Sequence, residues 1–412
     1  MPHRILNILD TSTKMIIDLQ KNLVAIPALG PTNGGAGEQD KVAWLVSYLD
    51  RFSDITCEVI KAPDDRVPCG FRPSLVIRRP GQKKQTLWLI AHTDVVPTGD
   101  LGLWNTDPFT LHVDGDFLYG RGVEDNHQGM VSALLVLEAL EEAGVTTDLS
   151  LGILLVADEE TGNAWGIEYV MREHAHIFQS EDLILIPDFG TEDGASIEIA
   201  EKSVLWLKFL VQGQQCHAST PEQGINSLTA ASALILELEK LKNTFDAHDP
   251  LFSPPISTFV PTKKEANVPN INTMPGRDVF YLDCRILPCY ALDSIEQTIL
   301  ALCADIEQQR SVHISMSVVV KEQAAAPTAP SAPIVTRLTK ALEVERGVSA
   351  RYIGIGGGTV AASFRKRNLP AACWATLLHT AHQPNEHSSI TNTLADARVF
   401  ARLLFDDLLE KV

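Results

Sequence analysis

From Thr11 to about Lys202 the chain alternates short apolar runs with longer amphipathic stretches. Helices are predicted at residues 14–24, 38–52 and 128–143, the last repeating apolar residues at spacings of three and four. Strands are predicted at 56–60, 75–77, 87–91, 153–156 and 183–186. Such alternation predicts an α/β fold, a mixed sheet flanked by helices. A second pattern starts near Val204: a strand in LWLKFLVQG, a helix over 226–242, strands at 256–260 and 279–285, a helix over 294–309 and a strand at 313–320. That β-α-β-β-α-β order is the ferredoxin-like α+β unit. The Ala/Pro-rich residues 324–333 read as a linker, after which helix, strand and helix signals resume at 335–344, 350–353 and 393–409. The expected organisation is a larger domain built from residues 1–203 and 323–412, interrupted by a smaller one over 204–322.

Three of the apolar runs discharge into metal-ligand chemistry. LWLIAHTDVVP ends in His92 and Asp94, LGILLVADEE in Glu159 and Glu160, and DLILIPD in Asp188. In open α/β sheets ligands sit beyond the carboxyl ends of the strands, so these side chains are expected at one edge. Asp94 is placed to accept the second ring N–H of a ligating His92, which would fix its tautomer. Adjacent carboxylates repel unless a cation or shared proton compensates. One of Glu159 and Glu160 is therefore expected to ligate and the other to act as a base. Asp125 follows the turn YGRG just before a helix, as a ligand or an N-cap would. His379, His382 and His387 crowd the segment HTAHQPNEHSSI; at most one is expected to ligate, and spacing alone does not choose.

Composition narrows the partners. The 412 residues are 45% hydrophobic and 21% charged, enough to bury a core in each of two domains. Lys+Arg 34 against Asp+Glu 52 gives net −18 with no basic run, which disfavours nucleic acid and acidic membranes. No signal-peptide layout or bilayer-length apolar stretch is present, and the seven cysteines form no C-x-x-C. A cytoplasmic protein with reduced thiols is expected.

The ordered motifs HTDVVP, WNTDPF, YGRGVEDN, DEETG and HQPNE resemble the dinuclear zinc hydrolases that include acetylornithine deacetylase, succinyl-diaminopimelate desuccinylase, aminoacylase and carboxypeptidase G, over essentially the whole chain. The resemblance implies a zinc-binding α/β domain with an inserted ferredoxin-like domain for lid closure and homodimerisation. It implies that Asp125 bridges two ions, with His92 and Asp188 completing one site and Glu160 and His382 the other. His382 is selected because it opens an H-x-x-N-E signature. Glu159 matches the general base and Asp94 the carboxylate behind His92. In the inserted domain, GQQCHASTP resembles a stretch whose histidine, here His217, stabilises the oxyanion across a dimer. Asn272, Arg285, Gly357 and Gly358 match groups that hold the substrate carbonyl and carboxylate. The implied cofactors are two divalent ions, zinc first, with cobalt or manganese compatible with so oxygen-rich a set. The implied activity is amide hydrolysis of a small N-acyl amino acid, with a di- or tripeptidase or carboxypeptidase as the alternative. A non-catalytic binding protein on this fold is the rival from another class, and a replaced Glu159 or broken ligand set would mark it. Three departures from the pattern stand out: Asn126-His127-Gln128-Gly129 after Asp125, where many members carry a lysine and then paired glycines; Asp188, where many deacylases carry Glu; and Val360, where an aspartate is common.

Overall fold

In the computed structural model, which describes residues 3–409, an eight-stranded mixed sheet forms the larger of two units. Its strands run in the order Thr56–Pro63, Phe71–Arg79, Ser150–Val156, Thr86–His92, Leu183–Gly190, Ala371–Ala375, Ser196–Glu201 and Arg351–Ile355. The four central strands, Ser150–Val156 to Ala371–Ala375, are mutually parallel, and antiparallel neighbours flank them on both sides. Central parallel strands are buried on both faces and so read as continuous apolar runs rather than alternating ones. That is why LWLIA and LILI were legible as strands.

The helix His127–Ala143 carries MVSALLVLEAL, is buried on nearly every side and packs against Thr13–Val24, Ile390–Leu403 and His3–Leu9. Its first turn presses on the strand that carries Asp188. A Cβ at Gly129 would lie 2.6 Å from the Pro187 carbonyl oxygen, so only glycine permits that approach. Helix termini elsewhere move by a few residues from expectation: Gln39–Leu49 for 38–52, and Ile390–Leu403 for 393–409.

Two strands of this sheet had no clear signal. Ala371–Ala375 is a short, alanine-rich stretch that becomes a strand because parallel pairing buries it completely. Ser196–Glu201 alternates apolar and acidic residues like a half-exposed strand, yet all six residues are buried. Glu198 is tolerated there because Arg365 meets both of its oxygens at 2.8 Å.

The second unit comprises residues 200–327 and 353–362. Its antiparallel sheet has the order Thr258–Lys264, Arg277–Ile286, Ser203–Gln212, His313–Glu322. Helices Ser227–Leu238 and Leu292–Arg310 complete the ferredoxin-like connectivity. Asn226 caps the first of these, accepting from the Thr229 N–H at 3.0 Å. The helix expected over 226–242 is broken, with a short second piece at Leu241–Thr244. A stacked Phe209–Phe280 pair, 4.7 Å between centroids, lies in a core shared by the sheet and both helices. The glycine segment 353–362, expected with the larger domain, packs with this unit: the Lys202 N–H donates to the Ile355 carbonyl at 2.9 Å. Among the described residues, no helix is long and apolar enough to cross a membrane.

Candidate metal centre

The carboxyl ends of the four parallel strands open on one edge of the sheet, and each delivers a candidate ligand there. His92 is the last residue of its strand. Glu159 and Glu160 open a single 3-10 turn just beyond Val156. Asp188 lies inside its strand rather than after it. The strand Ala371–Ala375 leads into the loop that carries His382. Asp125 arrives from a turn before the long buried helix, through a cis peptide bond to Asn126.

The five side chains converge from positions spread over nearly the whole unit. His92 Nε2 lies 2.8 Å from Asp125 Oδ1 and 3.6 Å from Asp188 Oδ1. His382 Nε2 lies 3.0 Å from Asp125 Oδ2 and 3.0 Å from Glu160 Oε2. Asp125 thus offers one oxygen to each of two triads, His92–Asp125–Asp188 and Asp125–Glu160–His382, either of which could hold a metal ion. Of the three histidines in the C-terminal segment, His382 is the one that lies in a triad. His387 instead sits over the Tyr119 ring, 5.1 Å between centroids.

The donor chemistry fits divalent cations. Among the described residues, the ion pairs of Asp125, Glu160 and Asp188 run only to His92 and His382, with no Lys or Arg nitrogen taking the place of an ion. Glu160 Oε1 is buried without a hydrogen-bond partner, an orphan that a cation would satisfy. Burial raises the pKa of Glu159 well above the usual range, and Asp188, Glu160 and Asp125 push it in the same direction against the opposing His92. Burial likewise raises Glu160 and Asp188. Burial would also raise Asp125, but hydrogen bonds from His382 and His92 outweigh it and hold that carboxyl below its ordinary value. His382 is pushed up to about 10 by its contacts to Asp125 and then Glu160. His92 is likewise raised despite the opposing effect of burial, by Asp188 and Asp125. A cluster that drives both imidazoles towards the cationic form is one whose electrostatics call for positive charge.

Behind this layer the hydrogen bonds differ from the simplest expectation. His92 Nδ1 lies 3.0 Å from the main-chain carbonyl of Asp94 and 3.5 Å from its carboxylate. The Asp94 carboxylate instead accepts the backbone N–H groups of Glu159 and Glu160, both at 3.1 Å. Asp94 therefore fixes His92 through its carbonyl and the two glutamates through its side chain. The carbonyl wins because it stands closer to the ring nitrogen. At the first departure from the family pattern, His127 Nε2 meets the buried Lys41 Nζ at 2.8 Å, so an amine reaches this spot from a distant helix. Nothing in the sequence around Lys41 marks it, since its partner lies 86 positions away.

The other expected site residues belong to the second unit. His217 is exposed, and its Nδ1 lies 2.7 Å from the Ser219 hydroxyl and 3.2 Å from the Ser219 backbone nitrogen. Asn272 is exposed and accepts from the Asn270 side chain at 2.5 Å. Arg285 donates to Asp283 through Nε at 2.7 Å and Nη2 at 3.0 Å, and to the Gly356 carbonyl through Nη1 at 2.8 Å. A substrate carboxylate at Arg285 would have to share it with Asp283. Around Gly357 and Gly358 a Cβ would meet nothing, so the loop is open there.

Comparison with known proteins agrees with this geometry. The sequence profile of peptidase family M20/M25/M40 matches residues 88–406. An uncharacterized metallohydrolase of Methanococcus maripaludis is 38% identical over 407 residues, covering 94% of this chain and 98% of the relative. Succinyl-diaminopimelate desuccinylase of Ehrlichia chaffeensis is 25% identical over 398 residues, covering 94% and 96%. A solved tripeptidase from Staphylococcus aureus shares the fold with a TM-score of 0.75 at 14% identity, covering 96% of this chain and 98% of that one.

Proposed function

Because the chain belongs to peptidase family M20/M25/M40 and is a metallohydrolase, we propose that it hydrolyses an amide bond of a small N-acyl amino acid, as a desuccinylase or deacetylase does. The observation that carries the dinuclear reading is the single carboxylate of Asp125, with one oxygen facing each triad. His92 and Asp188 would hold one ion, Glu160 and His382 the other, and Asp125 both. Zinc is the expected ion, and cobalt or manganese would also suit these ligands. When bound, such ions supply Lewis acidity and a water acidified towards a pKa of ~7.

The chain's own residues do the rest. Glu159 is half-buried beside the two triads, suited to taking a proton from the attacking water and returning it to the departing amine. Asp94 orients that base by holding the Glu159 N–H. His217, whose Nδ1 is engaged by Ser219, is suited to donate through its other ring nitrogen to the developing oxyanion. Arg285, with Asn272 and the amides of Gly357 and Gly358, would hold the substrate carboxylate and carbonyl. His217 acting across a homodimer of the inserted unit belongs to the same reading, and light scattering in solution tests the dimer.

The relative named as a succinyl-diaminopimelate desuccinylase supports the acyl substrate. Asp188, where many deacylases carry Glu, favours a second reading, a di- or tripeptidase or carboxypeptidase. Hydrolysis rates for N-succinyl-diaminopimelate, N-acetylornithine and a dipeptide panel separate the two. Turnover of the dipeptides alone would overturn the acyl reading, and inertness towards all three would overturn both.

A further inference from the structure

Two buried glutamates that ligate nothing tie together the loops bearing Asp125 and His382. Glu124 belongs to the first loop, yet its carboxylate serves the second. It accepts the N–H of Leu378, the N–H of Thr380 at 2.5 Å, the Thr380 hydroxyl at 2.9 Å and the Ala381 N–H at 2.9 Å. Glu386 belongs to the second loop and serves the first. It accepts the N–H groups of Gly122 at 3.0 Å, Glu124 at 3.0 Å and Asp125 at 3.1 Å, and Arg121 Nη1 at 2.6 Å. Four donors reach each carboxylate, two on each oxygen of Glu386 but one on Glu124 Oε1 and three on its Oε2, and neither residue belongs to the two triads. Just outside this crossing, strand His387–Ser389 pairs with Phe117–Tyr119 and closes the frame.

The loop that Glu124 grips needs such a grip. His379, His382 and Asn385 all adopt left-handed backbone conformations, with φ of 62°, 63° and 58°. Non-glycine residues persist there only when their surroundings over-determine them. The His382 side chain is 55% exposed, so packing does not hold it, whereas His92 is 1% exposed. Resting on the two-ion reading above, we propose that Glu124 and Glu386 are positioning residues that set the separation of His382 from Asp125, and that Glu124 thereby controls the affinity of the Asp125–Glu160–His382 site alone. Glu386 acts on the backbone of Asp125, which both sites share.

Calorimetric titration of the metal-free full chain with Co²⁺ or Zn²⁺ tests this without reference to activity, using His382→Ala to mark which binding step belongs to that site. Glu124→Gln retains the volume but turns an amide NH₂ towards backbone N–H groups. It is expected to weaken the step lost in His382→Ala by about tenfold or more, as removal of outer hydrogen-bond partners does at metal sites, and to leave the other step unchanged. Glu386→Gln is expected to weaken both steps. Equal weakening of both steps by Glu124→Gln, or unchanged binding, overturns the proposal. A wild-type chain that binds fewer than two ions overturns the reading beneath it, a distinguishable failure. Should Glu124→Gln not fold, Thr380→Val removes one of the four donors and should shift the same step by a smaller factor; no shift there also overturns the proposal.

Discussion

Arg72→Met probes what holds the Glu159–Glu160 turn beyond the proposed metal ligands. Arg72 and Glu38 are both fully buried. The guanidinium donates to both Glu38 oxygens, at 2.7 Å through Nε, and through Nη1 to Asp158 at 3.2 Å. Glu38 in turn accepts the Asp158 N–H at 3.2 Å, and Asp158 sits in the left-handed region, φ 61°, immediately before the proposed base. Removing the arginine leaves a buried carboxylate without its cation, which costs about 3–5 kcal/mol. For a domain of this size that lowers Tm by about 5–9 °C.

The pH dependence has a definite sign. Burial already raises the Glu38 pKa, and Arg72 opposes it; without Arg72 the shift grows. A carboxyl whose folded pKa exceeds its unfolded value binds a proton more tightly when folded. Stability from such a group is complete below the unfolded pKa, ~4.3, and is lost as pH rises through the folded value. The deficit of Arg72→Met measured by scanning calorimetry is therefore larger at pH 8 than at pH 5. Arg72→Met/Glu38→Leu should recover much of it, since a buried pair exchanges with apolar residues at little loss. A deficit under about 1 kcal/mol, equal at both pH values or larger at pH 5, refutes the assignment of Arg72 and Glu38 as the brace of this turn.

Three other outcomes follow from the site. Glu159→Gln should lower kcat by about 10²–10⁴-fold while calorimetry still records both metal-binding steps; unchanged turnover would remove Glu159 as the base. Chelation should abolish activity and lower Tm, and returning the ion should restore stability by about 1.4 kcal/mol per tenfold rise in free metal above Kd; a Tm indifferent to metal would contradict binding by the folded state. Asp94→Asn, which disturbs the acceptor of two backbone N–H groups, should reduce kcat by about 10–100-fold with KM little changed. A purely KM effect would separate Asp94 from the base it is assigned to orient.

The strands that lead to His92 and Glu159–Glu160, and the one that carries Asp188, were legible in the chain because burial on both faces forces continuous apolar runs, and a candidate ligand at or just past such a run is a local feature. His382 could be chosen from its segment only by resemblance, since spacing left three histidines equivalent and the alanine-rich strand leading to it carries little intrinsic preference. Asp125 read equally as a cap or a candidate ligand in the sequence; in the fold two histidines meet it from opposite sides. Lys41 and Arg72 had no signal, and Glu124 and Glu386 stood inside the motifs YGRGVEDN and HQPNE without a role, though each of the four is buried at the site or one layer behind it. Their partners lie 34 to 265 positions away. A single charged residue reads as solvated surface until folding excludes water from it, and only then do its few possible partners become a requirement. Ligand identity is written one residue at a time; the hydrogen bonds that hold ligands at a fixed separation exist only between segments that tertiary packing brings together.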